Sequence, residues 1–198
     1  MPRGKPFQIV GVDLAGSPNR PTGLCILSGK TARTQVLFED AEILEAVFRT
    51  KPNVVPIDAP LSLPEGRKSI HDRNGTHLRK CDRELQRLGI RFFPITLGPM
   101  RMLTERGLEI KKKIEAMGYR AVECYPGGAQ DVWNIPRKQH DMAGLRSGLT
   151  RLGVKGITAE MDDHELDAVT AALVGRYEVM GKAEMLGGSN GILMPRSS

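Results

Sequence analysis

Hydrophobic and polar positions alternate or cluster along this chain in patterns typical of short strands and amphipathic helices. Apolar runs bounded by glycine and proline turns predict strands over residues 8–14, 22–27, 33–38, 54–58 and 119–125. Apolar residues three and four positions apart predict helices over residues 41–50, 76–88, 99–117, 137–152 and 162–186. This order of elements predicts an α/β fold with a mixed sheet.

The last predicted helix has the clearest start signal in the chain. Asp162 is an N-cap candidate and Glu165 follows three residues later, which is the spacing of a capping box. Met161 and Leu166 flank this pair at the positions of a hydrophobic staple. The sequence therefore predicts a helix that begins at Asp162 and either continues to about Leu186 or is interrupted near Gly181.

Composition limits the class of protein. With 198 residues, of which 40% are hydrophobic, the chain predicts a single domain over 1–198, with a basic insertion at about 61–93. No apolar stretch reaches the roughly 18 residues that suggest a bilayer span, so no membrane partner is expected. The three cysteines are widely spaced without a CxxC pair, which favours a reducing, cytoplasmic location.

Positive charge is concentrated in the insertion. The net charge of the chain is +6, and residues 65–91 carry eight cations against four anions. Such a segment can hold phosphates, or it can be a solvated helix face, and the sequence favours neither reading. Only Phe92 and Phe93 interleave with these cations, which does not indicate a base-stacking platform. The candidate nucleic-acid contacts are Arg67, Lys68, Arg73, Arg79, Lys80 and Arg83.

Three acidic residues stand in apolar surroundings where a carboxylate is costly. Asp13 interrupts the first strand, Asp58 ends the fourth, and Asp167 lies one turn into the last helix. Any one of them alone is explained by backbone hydrogen bonds or a nearby cation. All three in one small α/β domain predict a site for a hard divalent cation, Mg²⁺ or Mn²⁺, which prefers carboxylate oxygens.

Two further residues are candidates for the same site. His164 lies three positions before Asp167, on the same helix face, and is a candidate metal ligand or proton shuttle, or else a solvent-facing residue. Glu123 comes near the end of the fifth strand, where a ligand role and a purely structural role are equally compatible with the sequence.

Four segments lie around these residues: GVDLAGS at 11–17, IDAPLSLP at 57–64, ECYPG at 123–127 and HELDAVTAAL at 164–173. Together they resemble the family called domain of unknown function 429. The resemblance extends over nearly the whole chain and includes segments typical of archaeal members, RKCDREL at 79–85 and FFP at 92–94.

This resemblance implies a ribonuclease H-like fold with a five-stranded mixed sheet in the order 3-2-1-4-5, and a nuclease activity. The last motif is also similar to the final helix of RuvC-type resolvases. Transferred by motif, Asp13 is the first-strand acid, Asp58 the fourth-strand acid and Asp167 the last-helix acid. His164 stands where many relatives have another acid, so a second metal ion depends on this position.

The leading hypothesis is therefore a divalent-metal-dependent nuclease in which metal-activated water hydrolyses a phosphodiester of DNA or RNA. A second hypothesis is a non-catalytic nucleic-acid or protein binding module on the same fold. Phosphotransfer to a small molecule ranks third, because enzymes of that type pair two such folds. A chain of 198 residues would need to form a homodimer for it.

Overall fold

The computed structural model describes residues 6–196, so both ends of the predicted domain, 1 and 198, lie outside the described residues. Seven strands within this range form one sheet. The strands are β1 (Gln8–Asp13), β2 (Thr22–Ser28), β3 (Thr31–Leu37), β4 (Val55–Asp58), β5 (Ala121–Cys124), β6 (Ala183–Leu186) and β7 (Ile192–Pro195). The helices are α1 (Asp40–Thr50), α2 (Lys80–Arg87), α3 (Gly98–Ala116), α4 (Pro126–Val132), α5 (Met142–Arg151) and α6 (Asp163–Val179).

The sheet is mixed, and its strand order is β3-β2-β1-β4-β5-β7-β6. Strands β1, β4, β5 and β7 run parallel to one another, while β2, β3 and β6 pair antiparallel to their neighbours. The predicted order 3-2-1-4-5 is confirmed for the first five strands. The prediction of only five strands is incomplete, because the hairpin of β7 and β6 extends the sheet beyond β5.

Helices cover both faces of the sheet. On one face, Val12 and Ile57 pack with Ile43 of α1 and Ile110 of α3. On the other face, α6 lies over the central strands, and every residue from Leu166 to Gly175 is buried. Because successive strand residues point to opposite faces, this arrangement decides which polar residues can meet α6.

The capping box predicted at the start of α6 is confirmed. The Asp162 side chain accepts a hydrogen bond from the Glu165 backbone N–H at 2.8 Å, and the Glu165 side chain accepts one from the Asp162 N–H at 2.9 Å. The Met161 and Leu166 side chains are both buried, as a hydrophobic staple requires. The local signal therefore fixes where the helix carrying Asp167 begins.

The predicted continuation of the last helix to about Leu186 is wrong, and the alternative of a break near Gly181 is correct. Helix α6 stops at Val179, and Gly181 follows with a left-handed φ of +70°. The chain then forms the hairpin β6–β7, whose turn holds Gly187 and Gly188 at φ values of +78° and +94°. The apolar residues of β6 extend the helical pattern in the sequence, because a short apolar segment fits the period of a strand or of a helix.

Helix α4 was also missed, because its Pro-Gly-Gly start resembles a turn. Proline is tolerated in the first helical turn, where its missing N–H has no intrahelical partner, and Pro126 is the first residue of α4. Two predicted helices are shorter than expected: α2 covers 80–87 and α5 covers 142–151. No helix within residues 6–196 combines the length and the apolar content needed to cross a bilayer.

Candidate metal centre

Asp13, Asp58 and Asp167 converge at one edge of the sheet. Asp13 and Asp58 are the last residues of β1 and β4 and are direct partners in the parallel register. Both point to the face covered by α6, where Asp167 lies one turn into the helix. One carboxylate oxygen from each residue lies within 4.8 Å of the others. Mg²⁺ and Ca²⁺ bind oxygens at about 2.0–2.6 Å, so one ion can contact oxygens separated by about 4–5 Å.

The electrostatics of the three aspartates favour a cation. Burial raises the pKa of Asp58 well above its ordinary value, and the charges of Asp13 and Asp167 raise it further. Burial also raises the pKa of Asp167, although Lys138 opposes that effect. The carboxylates therefore repel one another, and a divalent ion would stabilise their charged forms.

Lys138, in the connection between α4 and α5, provides the cation nearest to the cluster. Its Nζ lies 2.9 Å from Asp167 Oδ2, 3.2 Å from Asp163 Oδ2 and 3.9 Å from Asp13 Oδ2. Burial alone would lower the pKa of Lys138, but Asp167 and Asp13 outweigh burial and keep it above its ordinary value. Lys138 is therefore charged and balances part of the cluster.

His164 approaches the cluster from the first turn of α6. Its Nδ1 lies 2.9 Å from Asp13 Oδ2, and about a third of its side chain, 33%, is exposed. The hydrogen bond with Asp13 raises the pKa of His164. Because Nδ1 faces Asp13, Nε2 is the ring nitrogen that remains for another partner.

Gln130 of α4 fixes the orientation of Asp167. Its amide Nε2 donates to Asp167 Oδ1 at 2.8 Å and to the Thr170 hydroxyl at 3.2 Å. Gln130 and Thr170 are almost fully buried, at 1% and 0% exposure. One oxygen of Asp167 is thus held by Gln130, while Oδ2 faces Lys138.

Glu123 is not brought into the cluster. It is the register partner of Ile57, so it lies on the opposite sheet face from Asp58. Its carboxylate accepts hydrogen bonds from Arg79 at 2.6 and 2.8 Å and from the Leu61 backbone N–H at 2.7 Å. The side chain is buried, and both carboxylate oxygens already accept hydrogen bonds. Glu123 therefore has a structural position, and its assignment as a catalytic candidate is corrected.

Arg79 is likewise turned inward. Beyond its two bonds to Glu123, the guanidinium donates to Asp82 Oδ2 and Oδ1 at 3.1 and 2.8 Å, and only 6% of the residue is exposed. Burial alone would lower the pKa of Arg79, but Glu123 and Asp82 hold it above its ordinary value. Arg79 therefore joins α2 to β5 and presents no donor to a phosphate outside the protein.

The other predicted nucleic-acid contacts differ in how far solvent reaches their side chains. Arg67 is buried and donates to the backbone carbonyls of Thr76 and Asp72, so it stabilises its own loop. The side chains that solvent reaches are those of Lys68, Arg73, Lys80 and, in part, Arg83. The expected phosphate contacts are thereby reduced from six residues to four.

A family model described as "Protein of unknown function (DUF429)" matches residues 11–190, which include all three aspartates. The chain belongs to the DUF429 family. No curated protein is significantly similar to this sequence.

Solved structures of RuvC from Thermus thermophilus are similar to this DUF429 chain. One has a TM-score of 0.50 and 16% sequence identity, and the match covers 88% of this chain and 97% of that chain. A second, RuvC in complex with Holliday junction substrate, has a TM-score of 0.49 and 16% identity, with 88% and 96% of the two chains covered. The first match, together with the strand order, shows that this DUF429 chain has a ribonuclease H-like fold.

Sequence reasoning missed Lys138 and Gln130, the two residues that engage Asp167 in this DUF429 structure. Lys138 belongs to a polar run with no ligand spacing, and Gln130 follows a Pro-Gly-Gly segment interpreted as a turn. A helix prediction at Pro126 would have placed Gln130 on an inward face. No local signal distinguishes Lys138 from its basic neighbour Arg137.

Proposed function

We propose that this protein is a divalent-metal-dependent nuclease that hydrolyses phosphodiester bonds of nucleic acid. The proposal rests on the convergence of three carboxylates, from β1, β4 and α6, at one edge of a ribonuclease H-like sheet. Such a donor set suits Mg²⁺ or Mn²⁺. A bound ion supplies positive charge for the phosphate and a water of lowered pKa.

In this mechanism Asp13 and Asp58 would hold the ion, and Asp167, which Gln130 orients, would complete the site. Lys138 lies on the Asp13–Asp167 side, where a second ion would have to displace it. His164 exchanges a proton at Nε2 while Asp13 fixes its ring through Nδ1. The exposed cations of the 61–93 segment, Lys68, Arg73, Lys80 and Arg83, attract the nucleic-acid backbone.

The Asp58→Asn variant tests this proposal, because it removes one charged ligand and conserves shape. Calorimetric titration with Mn²⁺ should show metal binding to the wild type and weakened or lost binding to the variant. Cleavage of DNA and RNA substrates, including a four-way junction, should fall by about a hundredfold or more.

The control is Glu109→Gln, the same carboxylate-to-amide change at an exposed position of α3. It should bind Mn²⁺ and cleave as the wild type does. Metal binding with no cleavage of any of these substrates by the wild type would contradict the nuclease proposal. Absence of metal binding would instead support a binding module.

A further inference from the structure

A large cavity opens beside the aspartates and is not explained by metal binding. Its volume is about 910 Å³, and Asp58 and Asp167 form part of its lining. Small-molecule sites commonly measure about 300–1,000 Å³, so the cavity is large enough for a nucleotide-sized group. A group bound there would lie next to the ion held by the cluster.

Aromatic side chains form one part of the cavity lining. Phe92 and Phe93 come from the segment before α3, and Tyr125 directly follows β5. Phe93 is 73% exposed, more than any other large hydrophobic residue described in this chain. An exposed phenyl ring leaves apolar area in water, so a ligand that covers it gains binding free energy.

Basic side chains form another part of the cavity lining. Arg91 is exposed beside Phe92, and Lys138 joins the cavity to the aspartates. The Arg137 guanidinium carbon lies 5.4 Å from the centre of the Tyr125 ring. Arg137 also donates to Asp131 and to the Tyr125 hydroxyl, so it serves to hold that ring in place. Aromatic faces and an exposed cation beside a metal site match the chemistry of a base and its phosphate.

We propose that this cavity receives one unpaired nucleotide of the strand that is cut, with its base against Phe93 and its phosphate towards Arg91 and the aspartates. This inference rests on the proposed nuclease function and names its substrate class: single strands, or duplexes with a locally unpaired nucleotide. A base inside a duplex is covered on both faces by its neighbours. It can reach an aromatic wall only after leaving the stack.

Fluorescence anisotropy tests the inference without requiring cleavage. Three labelled probes of one sequence are compared in the absence of divalent cations: a single strand, a full duplex, and that duplex with one bulged nucleotide. The wild type should bind the single strand and the bulged duplex more tightly than the full duplex. Phe93→Ala should weaken binding of those two probes by about 5- to 100-fold, and leave the full duplex unchanged.

The matched control is Phe48→Ala, which removes another exposed phenylalanine, 60% exposed, from α1. It should leave the affinity for all three probes unchanged. As a second readout, 2-aminopurine placed at the bulge should change in fluorescence when the wild type binds, because its base stacks on a ring. The change should be absent with Phe93→Ala.

Equal affinity of the wild type for the full and bulged duplexes would overturn the inference, and so would wild-type binding of the bulge by Phe93→Ala. Either result would mean that the protein binds nucleic acid through phosphate contacts alone. The nuclease proposal is tested separately. A wild type that prefers the bulged duplex but cleaves no substrate with Mn²⁺ would support the nucleotide site and contradict the nuclease activity.

Discussion

Lys138 and His164 set the charge around Asp13 and Asp167. Lys138 Nζ lies 2.9 Å from Asp167, and His164 Nδ1 lies 2.9 Å from Asp13. An incoming ion competes with the Lys138 ammonium for the same oxygens. Unit charges about 4 Å apart interact by about 1–4 kcal/mol at effective dielectric constants between those of water and a protein surface. A single side chain can therefore change metal affinity by an order of magnitude.

Lys138→Met should bind Mn²⁺ about tenfold more tightly than the wild type. The substitution removes the competing positive charge, and the methionine side chain takes the place of the lysine methylene groups. Calorimetric titration with Mn²⁺ measures the change. Lys112→Met, at an exposed position of α3, is the control and should match the wild type. Weaker Mn²⁺ binding by Lys138→Met would mean that Lys138 positions the ligands rather than competing with the ion.

Close packing of α6 on the sheet brings Asp167 to the strand acids. A Cβ atom added at Gly11 of β1 would overlap the backbone of Ala168 and Ala172, and one added at Gly23 of β2 would overlap the carbonyl of His164. These glycines let the helix lie against the strands without intervening side chains. Gly11 thus has a packing role, and it precedes Asp13 in the same motif.

Gly11→Ala should lower the free energy of unfolding by about 1–3 kcal/mol or more, because α6 must move away from β1. It should also weaken Mn²⁺ binding, since Asp167 moves with the helix. Denaturant unfolding and calorimetric titration give the two quantities. Gly98→Ala, where an added Cβ meets no atom within 4 Å, is the control. Wild-type stability of Gly11→Ala would contradict this account of the packing.

A buried ion network ties the basic insertion to the sheet. Arg79, at the start of α2, bridges Asp82 on the same helix and Glu123 on β5, and each of the three is at most 6% exposed. Removal of one partner from such a network leaves an uncompensated buried charge. The insertion that forms part of the cavity wall therefore depends on Arg79 for its position.

Arg79→Met should lower the free energy of unfolding by about 3–5 kcal/mol, because Glu123 and Asp82 lose their cation. Arg49→Met is the control: its partner is Glu45, the two side chains are 77% and 58% exposed, and the loss should be about 0–1 kcal/mol. Chemical denaturation measures both variants. A stable Arg79→Met protein that lost only salt-dependent nucleic-acid binding would restore Arg79 as a phosphate contact.

The sequence by itself determined the elements that carry the three aspartates. Strand runs around Asp13 and Asp58 and the capping box before Asp167 are local signals, because they depend on residues a few positions apart. The order of the first five strands was not among these local signals and was implied only by the family resemblance. Local periodicity failed at the short apolar run 183–186, where strand and helix patterns coincide.

Only the tertiary structure decided which residues face the aspartates. The register of β5 against β4 turned Glu123 to the opposite face, and a buried carboxylate there required the guanidinium of Arg79. Tyr125 joins Phe92 and Phe93 in one cavity although more than thirty positions separate it from them in the chain. Such pairings arise from strand register and helix packing between distant segments, and no local pattern records them.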